Sequence, residues 1–342
     1  MPQNSDDYLM TLALAEGQKG VGLTAPNPSV GAVLVRDGEV LGRGFHRGAG
    51  QAHAEVEAVA HAREQGHDPS GSDIFVTLEP CSTTGRTPPC TELIIKNRIK
   101  RVIWAADDPN PAHQGVAREI LTNQGIEVVS GVKQKEAERL HCGFFKVQRE
   151  GLPWVIVKTA MSLDGRITRP PGEGQWLTGP EARNDVQILR GEVDAILTSG
   201  ETARQDNPRL TYRGPRVEKK QPLRVVLSRN PWANLPESFH LRKAEDQEPT
   251  LFLTGDLQSA LQDLAQRGVQ TLLVEAGGTL IGDFLDQKLI DQWIAYLAPL
   301  ATGGPLPAVA GEGVKALENH LRLQDVTYKK LGNDIRLQGY FH

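Results

Sequence analysis

The chain has 342 residues, more than one ordinary domain needs, so two are expected. A hydrophobic content of 39%, a charged content of 23% and a net charge of −4 without any long Lys/Arg run describe a globular protein and argue against a general nucleic-acid binder. Three cysteines are too few and too odd in number for a disulfide framework, and no apolar run is long enough to span a bilayer, so a reducing cytoplasm and no membrane contact are expected.

Residues 1–7 are polar and acidic and lack the apolar core of a signal peptide. Ser5 can cap a first helix to about residue 19, with Asp6 and Asp7 well placed in its first turn. Pro26-Asn27-Pro28 then forms a rigid turn. Asn27 there is either a plain turn residue or a substrate hydrogen-bonding group. Residues 32–35 and 39–45, joined by Asp37-Gly38, read as a hairpin.

His53-Ala54-Glu55 opens an amphipathic run over residues 53–65, and residues 74–78 read as a buried strand that delivers Glu79, Pro80 and Cys81 to its carboxyl end. Pro88-Pro89 puts Cys90 at another helix start, where positive partial charge favours thiolate over thiol. One imidazole and two thiolates are three zinc ligands, one short of a closed tetrahedron, and an open fourth position is the mark of a catalytic site. Glu55 follows the histidine by two residues and is placed to move protons beside that position. The pattern is that of zinc deaminases, except that their second cysteine usually comes sooner. The competing reading is a structural zinc knuckle, or two buried cysteines near an unrelated histidine.

Strands over residues 101–105 and 126–129 alternate with helices over 116–123 and 133–141, which implies a mostly parallel sheet with helices on its faces. The turn Asp107-Asp108-Pro109-Asn110-Pro111 lies at a strand's carboxyl end, either a ligand site or a surface loop. Residues 146–153 are polar with Gly and Pro and read as the linker, which sets domains of 1–147 and 148–342. Leftover Cys142, beside Leu140, Phe144 and Phe145, reads as a packed core thiol.

In the second half, strands are expected over 155–158, 195–198, 224–227, 251–253, 271–274, 293–298 and 335–340, with helices over 181–190, 257–266 and 279–286. Glu275-Ala276-Gly277-Gly278-Thr279 joins a strand to a helix, which is either a tight turn or a phosphate site. Trp176 could stack on a cofactor or pack in the core. Arg190 and Arg213 could clamp a phosphate or pair on the surface.

Together these residues resemble the bifunctional deaminase/reductase family of riboflavin biosynthesis. Pro26-Asn27-Pro28-Ser29-Val30-Gly31, His53-Ala54-Glu55-Val56 and Pro80-Cys81 through Gly85-Arg86-Thr87-Pro88-Pro89-Cys90 match its deaminase half, including the eight residues between the cysteines. Ser162-Leu163-Asp164-Gly165-Arg166, Gln175-Trp176, Asp206-Asn207-Pro208 and Glu275 to Leu280 match its reductase half. The resemblance implies an α/β chain of two domains, a cytidine-deaminase-like three-layer domain with zinc followed by a dihydrofolate-reductase-like domain with NADPH. It implies that a phosphoribosylamino-pyrimidine loses its 2-amino group as ammonia, and that its ribosyl group is then reduced to ribityl. His53, Cys81 and Cys90 would bind one zinc per chain, Glu55 would shuttle protons, and Asn27 would meet the pyrimidine. Ala160, Trp176, Thr202, Asp206, Ser228, Gly277, Gly278, Thr279, Leu280, Ile281, Gly282 and Asp283 would meet NADPH. Gly174, Arg190, Leu210, Arg213 and Glu275 would face the substrate, with the arginines on its phosphate. Lys158 and Asp206 would lie near the ribose, either one its proton donor. Gly174 departs from the serine common in that family. The expected partners are small phosphorylated pyrimidines and further copies of the chain. The rival reading is a nucleic-acid-editing zinc deaminase with a non-catalytic C-terminal binding module, against which the 5% aromatic content counts.

Overall fold

Ser5 does cap the first helix, α1 (Asp6–Gln18): its hydroxyl accepts from the Tyr8 N–H at 3.3 Å, and Asp6 and Asp7 stand at the helix's positive end. The structure, a computed structural model, describes residues 5–83, 88–111, 113–167, 176–216, 220–229, 236–243, 250–313 and 321–341. The chain divides into two units, Met1–Gly151 and Leu152–His342.

In the first unit β1 (Gly31–Arg36) and β2 (Glu39–Phe45) form the hairpin, and both Asp37 and Gly38 take the positive φ that a two-residue turn needs. There follow α2 (Ala54–Glu64), β3 (Asp73–Leu78), α3 (Cys90–Lys96), β4 (Arg101–Ala106), α4 (Val116–Asn123), β5 (Glu127–Ser130), α5 (Gln134–Leu140) and α6 (Cys142–Glu150). The sheet order is β2-β1-β3-β4-β5, with β1 antiparallel to its neighbours and β3, β4 and β5 parallel.

Alternate residues feed opposite faces of this sheet. Leu34, Ile74, Val76, Val102 and Trp104 pack with Ala54, Ala58 and Ala62 of α2, Ile94 of α3 and Leu121 of α4. Val33, Val35, Phe75, Ile103 and Ala105 pack with Leu9, Met10 and Ala13 of α1, Ala137 of α5 and Phe145 of α6. The result is three layers. Glycine is required at position 31, where a Cβ would lie 2.1 Å from the Ala13 carbonyl oxygen, so its absence lets α1 rest on β1. Residues 146–150, read as linker, are the end of α6, which Gly151 stops at φ 70°. Cys142 is half-buried at the first turn of α6 rather than packed in the core.

The second unit runs β6 (Trp154–Ser162), α7 (Pro180–Arg190), β7 (Ala195–Ser199), α8 (Gly200–Asp206), β8 (Leu223–Leu227), β9 (Leu251–Leu253), α9 (Leu257–Gln266), β10 (Thr271–Val274), α10 (Gly278–Asp286), β11 (Gln292–Ala298), β12 (Gln324–Leu331) and β13 (Asp334–Tyr340). Its sheet order is β12-β13-β11-β6-β10-β7-β8-β9. The strands from β11 to β9 are parallel, and the β12–β13 hairpin adds an antiparallel edge. Leu257, Leu261 and Leu264 of α9 and Ile281 and Phe284 of α10 cover one face; Ala182 and Leu189 of α7 and Ala203 of α8 cover the other. The carboxyl ends of β6, β10, β7 and β8 therefore open together, the place where such sheets bind ligands. In this unit the helix α8 and the strand β12 were not expected, and β6 runs four residues beyond its expected end at residue 158. No helix among the described residues is long and apolar enough to cross a membrane.

Candidate functional site

The first site forms where two helices begin beside the end of β3. His53 is the N-cap residue of α2, Cys90 is the first residue of α3, and Cys81 follows β3. His53 Nδ1 lies 3.2 Å from Cys90 Sγ and 3.5 Å from Cys81 Sγ, and the Cys90 N–H donates to Cys81 Sγ at 3.2 Å. All three donor atoms fall within 4.8 Å of one another, the only such His/Cys/Asp/Glu group among the described residues. Two sulfurs this close share one proton. The Cys90 thiol, and then the His53 ring, hydrogen-bond to Cys81 and hold its pKa down to about 4, while the same sharing and burial push Cys90 well up. A divalent cation is the partner that lets both be thiolates. Its donor set, one imidazole and two sulfurs, suits zinc.

Glu55 lies one residue into α2 and is only 3% exposed. Burial first, and then the charge on Cys81, raise its pKa, with His53 pulling the other way. It lines, with His53 and Cys81, a cavity of about 310 Å³. Asn27 and His46 form another wall. The buried His46 ring has Nδ1 at 2.9 Å from the Ala52 carbonyl and Nε2 at 3.0 Å from Asn27 Nδ2. Only one arrangement satisfies both: Nδ1–H donates to Ala52, and Nε2 accepts from the Asn27 amide. Desolvation lowers the His46 pKa and keeps the ring neutral for this role. The Asn27 Oδ1 is thereby left for another donor. Sequence reasoning named Asn27 but missed His46, whose only signal was a histidine after a strand.

The second unit gathers charge at the middle of β6 and just past the end of β10. Glu275 is clamped by Arg190, Nε to Oε1 at 2.7 Å and Nη2 to Oε2 at 3.0 Å, and by Lys158 Nζ at 3.0 Å. Burial alone would raise the Glu275 carboxyl, but Arg190 and Lys158 outweigh it and hold the group well below the carboxylate range. Arg190 Nη1 also donates to the Thr211 carbonyl at 3.2 Å, so this buried guanidinium, expected on a phosphate, is engaged within the protein. Arg213 is exposed and donates to Thr211 Oγ1 at 2.6 Å. Burial, then the like charges of Arg190 and Arg209, lower its pKa, so a positive mouth exists here to which Arg209 contributes unforeseen. Leu210 between them holds a φ of 50°, a strained value for a buried leucine.

Thr202 on α8 ties this mouth to α10: its N–H donates to Ser199 Oγ at 3.0 Å, and its Oγ1 accepts from the Gly277 N–H at 3.1 Å. Of the glycine set, Gly278 and Gly282 serve packing, since a Cβ would lie 2.3 Å from the Pro307 oxygen and 2.2 Å from the Ala310 oxygen. At Gly277 the nearest atom would be Thr202 Oγ1 at 3.7 Å, which leaves an open approach to the first turn of α10 and its unpaired N–H groups at Gly278, Thr279 and Leu280. Ile281 is buried and faces the core; Asp283 follows it one turn into α10. Ser228 follows β8, Ala160 lies on β6, and Asp206 is exposed at the end of α8. Trp176 is 61% exposed under the Arg183 guanidinium, which removes the core reading. Gly174 lies outside the described residues.

Comparisons with known proteins cover both units. Residues 3–106 match the family model for the cytidine and deoxycytidylate deaminase zinc-binding region, and residues 153–337 match that for the RibD C-terminal domain. The chain is 39% identical to the riboflavin biosynthesis protein RibD of Escherichia coli (strain K12), over 87% of this chain and 89% of that one. Among solved structures it is similar to Acinetobacter baumannii RibD, form 1, with a TM-score of 0.89 and 37% identity over 98% of this chain and 99% of that one. A diaminohydroxyphosphoribosylaminopyrimidine deaminase/5-amino-6-(5-phosphoribosylamino)uracil reductase from Thermotoga maritima gives a TM-score of 0.88 at 31% identity, covering 100% of both chains.

Proposed function

The chain belongs to the RibD family of bifunctional deaminase/reductases of riboflavin biosynthesis, and from that premise we propose which reactions it performs and with which residues. The first is hydrolytic deamination of 2,5-diamino-6-(5-phosphoribosylamino)pyrimidin-4(3H)-one. The second is NADPH-dependent reduction of the ribosyl chain of the resulting 5-amino-6-(5-phosphoribosylamino)uracil. The observation that carries the first is the convergence of His53, Cys81, Cys90 and Glu55 on one cavity. The rival reading, a nucleic-acid-editing zinc deaminase with a non-catalytic C-terminal binding module, falls with the likeness to RibD over both units.

His53, Cys81 and Cys90 would hold zinc, which when bound would supply a water of lowered pKa. Glu55, with a pKa raised by burial, accepts a proton from the attacking water and gives it to a ring nitrogen, then moves the remaining proton of the new hydroxyl to the departing amino group, which leaves as ammonia. Asn27 orients the pyrimidine by accepting from one of its N–H groups through the Oδ1 that His46 leaves free.

In the second unit NADPH supplies the hydride. The first turn of α10 takes an anionic phosphate, with Gly277 braced by Thr202. Arg213, with Arg209, receives the substrate phosphate. Either Lys158 or Asp206 protonates the ribose, and the Glu275–Arg190 pair fixes the Lys158 ammonium. A reducing cytoplasm suits two cysteines that serve as ligands.

Ammonia release and the loss of NADPH absorbance at 340 nm test the two halves separately. Glu55→Gln should lower ammonia release by about 10²–10⁴. Zinc content and NADPH oxidation with the deaminated substrate should stay as in the parent. Ammonia release at the parental rate would overturn the assignment.

A further inference from the structure

Glu79 is a buried carboxylate, 5% exposed, for which the mechanism above has no use. It follows β3 directly, and its own N–H donates to the Ala106 carbonyl at 2.9 Å, which extends the β3–β4 pairing by one residue. Its two oxygens go to two places in the chain. Oε2 accepts from the Asp108 N–H at 3.2 Å, and Oε1 accepts from the Gly115 N–H at 2.9 Å. Asp108 is the second residue of the loop after β4, and Gly115, at φ 78°, caps α4 where that loop ends. One side chain thus bridges both ends of the same loop.

Inside the loop, the Asn110 N–H donates to Asp108 Oδ1 at 2.8 Å, and the His113 and Gln114 N–H groups donate to the Asn110 carbonyl at 2.9 and 3.0 Å. From this frame Asp108, Asn110 and His113 line the same cavity as His53, Glu55 and Cys81. The loop is a wall of the deaminase site, and its closure depends on an acceptor with two separate oxygens. Glutamine has nearly the same volume, but its amide nitrogen would face one of the two N–H donors.

We propose that Glu79 is a positioning residue for deamination, stapling the Asp108–Gly115 loop so that its side chains meet the substrate. This rests on the deaminase reading of the cavity. The holoenzyme variant Glu79→Gln should raise the deaminase KM on the order of tenfold, the loss expected for one buried hydrogen bond to a charged group. Its kcat, zinc content and NADPH oxidation should match the parent. An unchanged KM, a fall in kcat alone, or loss of zinc would each overturn the staple. A double-mutant cycle with Asn110→Ala adds a second measurement: Glu79→Gln should cost less once the Asn110 side chain is gone, and full additivity would count against action through the loop. Should Glu79→Gln fail to fold, Asn110→Ala alone decides, since an unchanged KM there would mean that the loop does not serve the substrate. A parent enzyme that released no ammonia would sink the functional reading itself, whereas an active parent with an unaltered variant sinks only the staple.

Discussion

The two units both bury charge at the mouth of a sheet, but they balance it differently. In the first, two sulfurs and the Glu55 carboxyl converge with a single imidazole, three acidic groups against one basic one. In the second, Glu275 is flanked by Arg190 and Lys158, so the cluster is compensated by the chain itself. The first cluster calls for a cation from outside the chain; in the second the buried carboxylate is already paired within the chain. Buried charge is tolerated only when paired, and each unit meets that requirement by a different route.

The largest expected effect removes the cation. Stripping zinc with a chelator should abolish ammonia release, leave NADPH oxidation with the deaminated substrate unchanged, and be reversed by adding zinc back. Loss of both activities together would break the contrast between an ion-dependent and a self-sufficient site. The next effect strikes the second cluster. Glu275→Gln leaves the Arg190 guanidinium, 8% exposed, without its carboxylate and should destabilise the second unit by about 3–5 kcal/mol in urea unfolding. A cost below ~1 kcal/mol would mean that Arg190 finds another partner or water, and the cluster would then not be self-sufficient.

The contrast also explains what the sequence could reveal. Zinc chemistry needs rare residue types, and here they sit at helix starts and a strand end, positions that flanking prolines and apolar runs betray. His53, Cys81, Cys90 and Glu55 were legible for that reason. Lys158, Arg190 and Glu275 come from β6, α7 and β10, and nothing in their local sequence says that they meet. Residue chemistry reads Arg190 as a phosphate clamp or a surface residue, and the family resemblance also puts it on the phosphate; the fold pairs it with Glu275 and the Thr211 carbonyl. Glycine was hard to read in a similar way: Gly278 and Gly282 make room for residues 307–311, a packing role that local sequence does not reveal. Among the elements, the helices with an apolar face and the Asp37-Gly38 hairpin were readable. The polar surface end of α6 resembled a linker, and β12 was unreadable because seven of its eight residues are not buried and it shows no alternation. In α8 only Gly200 and Ala203 are buried, too few to form a pattern.

The smallest expected effect concerns a buried group behind β3 that has no opposite charge at all. His141 is fully buried, with Nε2 at 3.2 Å from Thr77 Oγ1, and desolvation lowers its pKa to about 4. The ordinary value, 6.5, applies once the chain unfolds, so below it the unfolded state binds the extra proton and folding is weakened. The contribution of the neutral ring is whole above pH 6.5 and is lost as the pH falls towards 4. Carboxyls of the same unit that burial holds up, Glu55, Glu79 and Asp108, act in the opposite direction, so the bare stability curve mixes both. The difference between the parent and His141→Gln isolates the ring. That difference should shrink by about 2 kcal/mol between pH 7.5 and pH 5 in urea unfolding, because the variant has no proton to refuse. An equal cost at both pH values would mean that His141 carries its proton in the fold, and that the first unit pairs this charge as the second pairs its own.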